Sequence, residues 1–167
     1  HGDTTLTATA SQDLSSFHLD LSLPASEVWV DGVDATFTQG RHELVVTPAT
    51  PLLTGAEFDV RVKYAGVPGR TPSPGLGGWF ETPDGAVAAG EPEVAVLWFP
   101  SNDHPSDKAT FDIDVQTRQG KQVISNGLLK GRERVGKDVR WHWKMRQPMA
   151  TYLATAVIGD YDIVRGR

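Results

Sequence analysis

Short segments of alternating apolar and polar residues recur along the chain, and they constrain its fold more than any other feature. Residues 58–64 alternate Phe, Val, Val and Tyr with charged side chains, and residues 139–145 repeat the pattern with two tryptophans. A side-chain period of two is typical of a half-buried β-strand. Such segments recur about every 8–12 residues, with turn signals such as Asp31-Gly32 and Gln39-Gly40 between them, and no helical period is sustained. The sequence therefore predicts an all-β, antiparallel protein, either a sandwich or a barrel.

The composition agrees with one globular domain and excludes several other classes of protein. Of the 167 residues, 39% are hydrophobic and 22% are charged, which is enough for a real core. The absence of cysteine excludes a disulfide framework, a thiolate nucleophile and a zinc knuckle. No apolar run approaches the roughly 18–20 residues that a membrane span needs. Nucleic acid is not an expected partner, because the net charge is −5 and no basic stretch is interleaved with exposed aromatic residues.

Charge is distributed unevenly between the two ends of the chain. Residues 1–117 contain 5 basic and 17 acidic residues, whereas residues 118–167 contain 11 basic and 4 acidic residues. One interpretation is that the two parts pair across neighbouring strands and so balance each other. The other interpretation is a basic face that binds a neighbouring domain. Both remain open at the level of the sequence.

Residues 66–92 interrupt the succession of strands. The segment is rich in Gly and Pro, and we predict one long loop here. Loops of this length in compact domains are usually functional or mobile. Four carboxylates lie within thirteen positions of one another, three in its second half and the fourth directly after it: Glu81, Asp84, Glu91 and Glu93. They form either a solvated acidic loop or a negative pocket for a cation such as a free α-amino group. Trp79, expected to be exposed, and Phe80 would supply an apolar wall beside that pocket.

Motifs of several enzyme classes are missing from the sequence. The five histidines include no pair at the i,i+4 spacing of a helix-borne zinc site, and His-Glu-x-x-His does not occur. There is also no Gly-x-Ser-x-Gly nucleophile motif. Asp103, His104 and Asp107 are interpreted as parts of a turn, because an Asp there usually accepts hydrogen bonds from backbone amides. We therefore predict no catalytic residue and no metal ligand in this chain.

The most distinctive motif lies in residues 98–111. The pair Phe99-Pro100 is followed by Asp103-x-Pro and then by Lys-Ala-x-Phe, which ends at Phe111. This order resembles a signature of the N-terminal β domain in the aminopeptidase N family of zinc peptidases, which also includes leukotriene hydrolase. The turn Ser101-Asn102-Asp103-His104 differs from the commoner form in that family and fits a minority bacterial branch of it. Further similar stretches are residues 13–20, 58–66, 152–154 and 159–161.

The resemblance implies a saddle-like antiparallel β-sandwich whose concave side closes one wall of a peptidase active site. In that family a Gln or Glu eight residues before the Phe of the Phe-Pro pair contacts the amino group of the substrate. Glu91 occupies this position here. Together with the acidic segment described above, this makes Glu91, Glu93, Trp79 and Phe80 the expected substrate-binding residues.

The resemblance also implies a partner domain. The zinc-binding helix and the Gly-x-Met-Glu-Asn loop of the family belong to a catalytic domain, and neither motif occurs in this sequence. Zinc is therefore expected in that domain and no cofactor in this chain, whose partners would be the catalytic domain of the same polypeptide and the N-terminus of a peptide. We expect one β domain over residues 1–160 that lacks the family's first strands, and a link to the catalytic domain over residues 161–167. Such a chain would be inactive alone.

Two other functions agree with the same sequence. One is a free-standing β-sandwich that binds carbohydrate or protein, for which the five tryptophans are the support. Trp141 and Trp143, however, share the apolar face of one strand and are expected in the core. The other is a purely structural module, and the acidic segment is the feature that speaks against it.

Overall fold

The protein is described by a computed structural model that covers residues 1–70, 76–162 and 164. Fourteen strands lie in these ranges: β1 Gly2–Thr9, β2 Phe17–Asp20, β3 Ala25–Val30, β4 Val33–Asp34, β5 Thr36–Gln39, β6 Glu43–Thr47, β7 Glu57–Tyr64, β8 Leu76–Thr82, β9 Gly85–Glu91, β10 Lys108–Arg118, β11 Gln122–Ser125, β12 Leu128–Val135, β13 Asp138–Ala150 and β14 Ala156–Gly159. Within the same ranges the helical elements are two short 3-10 helices, Ala95–Leu97 and Thr151–Leu153. None of the described helices is long and apolar enough to cross a membrane.

The strands form four antiparallel sheets. Their orders are β1-β7-β3-β4, β2-β6-β5, β10-β13-β12 and β11-β14-β9-β8. The predicted turn at Asp31-Gly32 joins β3 to β4, and both of its residues have positive φ angles, 51° and 77°. Two positive φ angles are the type I′ conformation that Asp-Gly favours in two-residue hairpins. The prediction of an all-β, antiparallel sandwich is thus confirmed.

The main hydrophobic core lies between the sheet that contains β7 and the sheet that contains β6. Phe58, Val60 and Val62 alternate along β7 and are buried, and they belong to one cluster with the fully buried Leu44 and Val46 of β6. Burial of each such side chain stabilises the fold by about 1.5–3 kcal/mol. The alternation read from the sequence therefore marks the inner face of the sandwich.

The prediction of one long loop at residues 66–92 is wrong. Strands β8 and β9 form a hairpin within it, and residues 71–75 lie outside the described part of the chain. Gly and Ala fill five of the seven positions of β9, so its own strand propensity is weak. Pairing with β8 on one side and with β14 on the other stabilises the strand instead. The predicted link at residues 161–167 falls in part on residues 163 and 165–167, which are also outside the described residues.

Two aspartates connect the N-terminal sheets to the segment that follows β9. Asp20 ends β2 and forms an isolated bridge with Ser101, and its carboxylate accepts a hydrogen bond of 2.8 Å from the Asp103 N–H. The buried Asp103 carboxylate accepts hydrogen bonds from the Val96 N–H at 3.2 Å and from the Thr151 hydroxyl at 2.7 Å. The interpretation of Asp103 as an acceptor for a backbone amide is confirmed.

Replacing Asp20 by asparagine is expected to raise the melting temperature near pH 7 and to give no gain near pH 3. Burial raises the pKa of the Asp20 carboxyl, the hydrogen bond from Asp103 opposes this, and the charges of Asp103, Glu43 and Glu93 raise it further. An acid whose pKa is raised by folding binds its proton more tightly in the folded state, so stability falls as the pH rises through its titration. Asparagine removes that penalty and keeps an oxygen that accepts the hydrogen bond.

Thermal unfolding followed by circular dichroism at the two pH values measures this effect. The matched control is Asp34→Asn, which changes an exposed carboxylate on β4. A melting temperature of Asp20→Asn that falls below that of the unchanged protein at both pH values would contradict the prediction.

Candidate functional site

The candidate substrate-binding residues lie on the hairpin of β8 and β9 and on the turn that follows it. Thr82 pairs with Gly85, so the connection is the two-residue segment Pro83-Asp84. Pro83 suits the first central position of a tight turn, because its ring fixes φ. The pairing continues without a shift to Glu91, which ends β9. The hairpin thus presents Glu91 at the end opposite to its turn.

Asp84 has a structural role at the tip of the hairpin. Its carboxylate accepts hydrogen bonds from the Asp160 N–H at 2.6 Å and from the Thr82 hydroxyl at 3.1 Å. These hydrogen bonds, that of Asp160 above all, lower the pKa of the Asp84 carboxyl. The charge of Asp84 therefore holds the hairpin against the residue that follows β14.

The four acidic residues of this segment do not come together in space. Glu81 lies beside the turn, opposite Ala86, whereas Glu91 lies at the far end of β9. Five residue positions separate Ala86 from Glu91, which is about 17 Å along a strand. The hypothesis of one pocket formed by all four carboxylates is therefore wrong. Glu91 and Glu93 remain neighbours, and both are exposed.

The turn after β9 fixes the backbone next to Glu91. Glu93 has a φ angle of 53°, in the left-handed region that costs a residue other than glycine about 1–2 kcal/mol. The next four residues, 94–97, are all buried. The left-handed residue thus directs the chain from the exposed end of β9 straight into the core, and the buried segment holds that end in place. The charge of Glu93 is also among those that raise the pKa of Asp20.

Trp79 and Phe80 are consecutive residues of β8 and point to opposite faces of its sheet. Trp79 is half-buried, with its ring centroid 6.2 Å from that of Trp98, so the expectation that Trp79 is exposed is wrong. Phe80 is 51% exposed and pairs with Val87. Val87 lies four positions from Glu91, about 13 Å along β9. The two aromatic rings therefore do not form one wall beside Glu91.

Sequence reasoning did not identify which strands pair with β9 and β14 to complete this sheet. β14 pairs with β9 and places Val157 opposite Val87, and β11 pairs with β14 and places Ile124 opposite Val157. Val157 and Val87 are 70 positions apart in the sequence. Local alternation marks each segment as a strand, but no local pattern identifies its neighbour in the sheet.

Part of the charge asymmetry is balanced across strands. Lys144 of β13 contacts Asp112 of β10 at 2.8 Å, and the Nδ1 atom of His142 lies 3.0 Å from Asp114. These contacts support the interpretation that the acidic and basic parts of the chain pair with each other. In residues 1–70, 76–162 and 164, no group of three or more His, Asp or Glu side chains could hold a metal ion. The described residues therefore do not fit a zinc site of their own.

Comparison with known proteins gives a consistent result. A family model described as the Peptidase M1 N-terminal domain matches residues 2–153. Leucine aminopeptidase 2 of Yarrowia lipolytica is 30% identical over 175 residues, which cover 96% of this chain and 26% of that protein. Human Endoplasmic reticulum aminopeptidase 1 is 29% identical over 130 residues, which cover 74% of this chain and 14% of that protein. The chain thus spans about a quarter or less of the length of these two relatives.

A solved structure extends the similarity to three dimensions. The crystal structure of an M1 zinc metallopeptidase from Deinococcus radiodurans matches with a TM-score of 0.87 at 30% sequence identity. The match covers 94% of this chain and 37% of that chain. The architecture described above is therefore that of one part of a longer metallopeptidase chain in that organism.

Proposed function

The chain belongs to the Peptidase M1 N-terminal domain family, and from this premise we propose that it forms one wall of the substrate cleft of a zinc-dependent aminopeptidase. Family membership confirms the resemblance inferred from residues 98–111. Two curated relatives are named aminopeptidases, and the protein from Deinococcus radiodurans is named a zinc metallopeptidase. The proposed reaction is the hydrolysis of peptides from the N-terminus, carried out with a peptidase domain of the same polypeptide.

In this proposal Glu91 binds the protonated α-amino group of the substrate peptide. The observation that carries it is the position of Glu91, exposed at the end of β9. That strand pairs with β8 as far as Glu91 and with β14 over residues 86–88, and the buried residues 94–97 follow it. Because the backbone at this end of β9 is already held in place, little backbone freedom is lost when the Glu91 carboxylate binds a cation. The ammonium group of a peptide N-terminus donates to a carboxylate in a short, charge-assisted hydrogen bond. Such a contact would restrict cleavage to chains with a free N-terminus.

The proposal assigns the zinc ion to the peptidase domain and not to this chain. The described residues do not fit a zinc site, and the expected contribution of the 167-residue chain is to bind and orient the end of the peptide. On its own the chain is therefore expected to hydrolyse no peptide.

Replacing Glu91 by glutamine tests the proposed role directly in the polypeptide that joins this chain to its peptidase domain. Loss of a hydrogen bond to a charged group costs about 1.5–3 kcal/mol. Since 1.36 kcal/mol corresponds to a tenfold change in rate, we expect kcat/KM for an amino-acid amide or p-nitroanilide substrate to fall about 10- to 150-fold.

The matched control is Glu81→Gln, which removes the same charge from the other end of the hairpin. Both side chains are exposed, so the two variants should unfold at the same temperature as the unchanged protein. An unaltered kcat/KM in Glu91→Gln, or an equal loss in both variants, would refute the role of Glu91.

The alternative of a sugar-binding module receives no comparable support. None of the five tryptophans is exposed: Trp141 is buried, and Trp29, Trp79, Trp98 and Trp143 are partly buried. Trp29 is also covered by cations, with the Lys63 Nζ atom 4.9 Å from its ring centroid. A sugar platform needs an open aromatic face, which these positions do not offer.

A further inference from the structure

An uninterrupted line of apolar side chains crosses the sheet that carries the hairpin. Phe80 of β8 pairs with Val87 of β9, Val87 pairs with Val157 of β14, and Val157 pairs with Ile124 of β11. These four residues, here called the apolar row, occupy directly opposite positions on four adjacent strands. Three inter-strand spacings make the row about 14 Å long.

The apolar row lies on the outward face of this sheet. Neighbouring positions along the same strands, Ala88, Val123 and Ala156, are at most 2% exposed and mark the inward face. Because side chains alternate between faces, the row points away from them. Phe80 and Ile124 are 51% and 45% exposed, and the two valines between them are half-buried. A contiguous apolar strip of this kind on a folded protein usually marks a contact surface.

The same face presents Glu91. Val87, Ala89 and Glu91 occupy alternate positions of β9 and therefore share one side of the sheet. On the four described strands, the outward positions besides the row are Leu76, Gly78, Thr82, Gly85, Ala89, Glu91, Gly159 and Gln122. Glu91 is the one charged residue among them. Depletion of charge around an apolar centre is typical of the buried part of a protein interface.

We propose that the apolar row is the surface on which the peptidase domain of the same polypeptide packs, an inference that rests on the proposed function. Glu91 can contact a substrate in a cleft between two domains when the second domain lies against the face that carries Glu91. That domain would then also cover the row, whose Val87 lies about 13 Å from Glu91. The matched region is 37% of the chain from Deinococcus radiodurans. The remaining part of that chain is long enough to form a second domain of the kind proposed here.

Amide hydrogen exchange tests the proposal without any measurement of activity. Exchange is compared between the 167-residue chain and the polypeptide that also contains the peptidase domain. We expect peptides that span β9, β11 and β14 to exchange at least tenfold more slowly in the longer protein, and peptides from β4 and β5 to be unchanged. Equal amide exchange of the peptides from β9, β11 and β14 in both proteins would overturn the proposal. Concentration-dependent protection of the row in the 167-residue chain alone would overturn it as well, because the occupant would then be a second copy.

A pair of variants gives an independent test. Phe80→Ser with Ile124→Ser is expected to leave the melting temperature of the 167-residue chain within about 2 °C, since surface substitutions change stability little. In the longer protein the same pair should abolish at least nine-tenths of the added exchange protection. The matched control is Val33→Ser with Leu53→Ser, two exposed apolar residues of other segments, which should leave that protection intact.

The outcomes separate this inference from the role of Glu91. If Glu91→Gln lowers kcat/KM while the row exchanges equally in both proteins, the row is not the interface and the proposed function stands. If the row is protected and Glu91→Gln has no effect, the interface stands and the role of Glu91 fails.

Discussion

Replacing Asp103 with alanine is expected to lower the free energy of unfolding by about 3–4 kcal/mol. The Asp103 carboxylate is the acceptor for the Val96 N–H and for the Thr151 hydroxyl, and all three residues are buried. A buried donor that loses its acceptor costs about 1–3 kcal/mol, and here two donors lose theirs. The Asp103 N–H would keep its hydrogen bond to the Asp20 carboxylate. The connection between the N-terminal sheets and the segment after β9 should therefore weaken without being lost.

Urea unfolding of the 167-residue chain measures this loss, because the unfolding free energy is linear in denaturant concentration. The matched control is Asp107→Ala in the same turn, where an exposed carboxylate accepts one hydrogen bond from Asn102. Its expected loss is within about 1 kcal/mol. Asp103→Asn should fall between the two, since the amide keeps one acceptor oxygen. If Asp103→Ala were no less stable than Asp107→Ala, the connection between the N-terminal sheets and the segment after β9 would not depend on the Asp103 carboxylate.

The hydrogen bonds of the Asp103 carboxylate connect the turn motif of residues 98–111 to the candidate site. Val96 belongs to the buried segment that follows Glu93, so the Asp103 carboxylate helps to hold the backbone just beyond Glu91. Thr151 begins the 3-10 helix that precedes β14, the strand next to β9. The Asp103 carboxylate thus connects the segment that follows β9 to the segment that precedes β14.

Local sequence patterns were sufficient to predict the strands whose side chains alternate strongly. The apolar residues among 58–64 form the buried face of β7, and Asp31-Gly32 forms a tight hairpin turn. The same logic failed at residues 66–92, because Gly and Ala carry no periodic signal. In β9 the strand conformation comes from pairing with β8 and β14, which a local window does not contain.

The candidate site was predictable in part. The choice of Glu91 came from the resemblance to the aminopeptidase N family, in which a Gln or Glu lies eight residues before the Phe of the Phe-Pro pair, here Phe99. The separation of Glu81 from Glu91 and the opposite faces of Trp79 and Phe80 follow from a hairpin that the sequence did not reveal. The apolar row depends on two further pairings between distant segments, so no single stretch of sequence contains it.

Replacing Gly85 with alanine is expected to lower the free energy of unfolding by about 3 kcal/mol and to disturb the hairpin selectively. A Cβ atom at Gly85 would collide with the carbonyl group of Ile158 and would lie 3.0 Å from the Gly159 Cα atom. All of these are backbone atoms of β14, so no side-chain rotation can relieve the overlap. The first residue of β9 would have to move away from β14, and the pairing that holds Glu91 and the apolar row in one sheet would weaken.

The matched control for Gly85→Ala is Gly131→Ala on β12. A Cβ atom at Gly131 meets no atom within 4 Å, and its φ angle is not in the left-handed region. That substitution should leave stability unchanged or raise it by about 0.4–1 kcal/mol, because alanine has less freedom than glycine in the unfolded chain. Urea unfolding gives both values, and amide exchange in β14 reports whether the damage is local. Equal stability of the two variants would mean that β9 and β14 are not packed as closely as their backbones indicate, and the shared face of Glu91 and the apolar row would lose its structural basis.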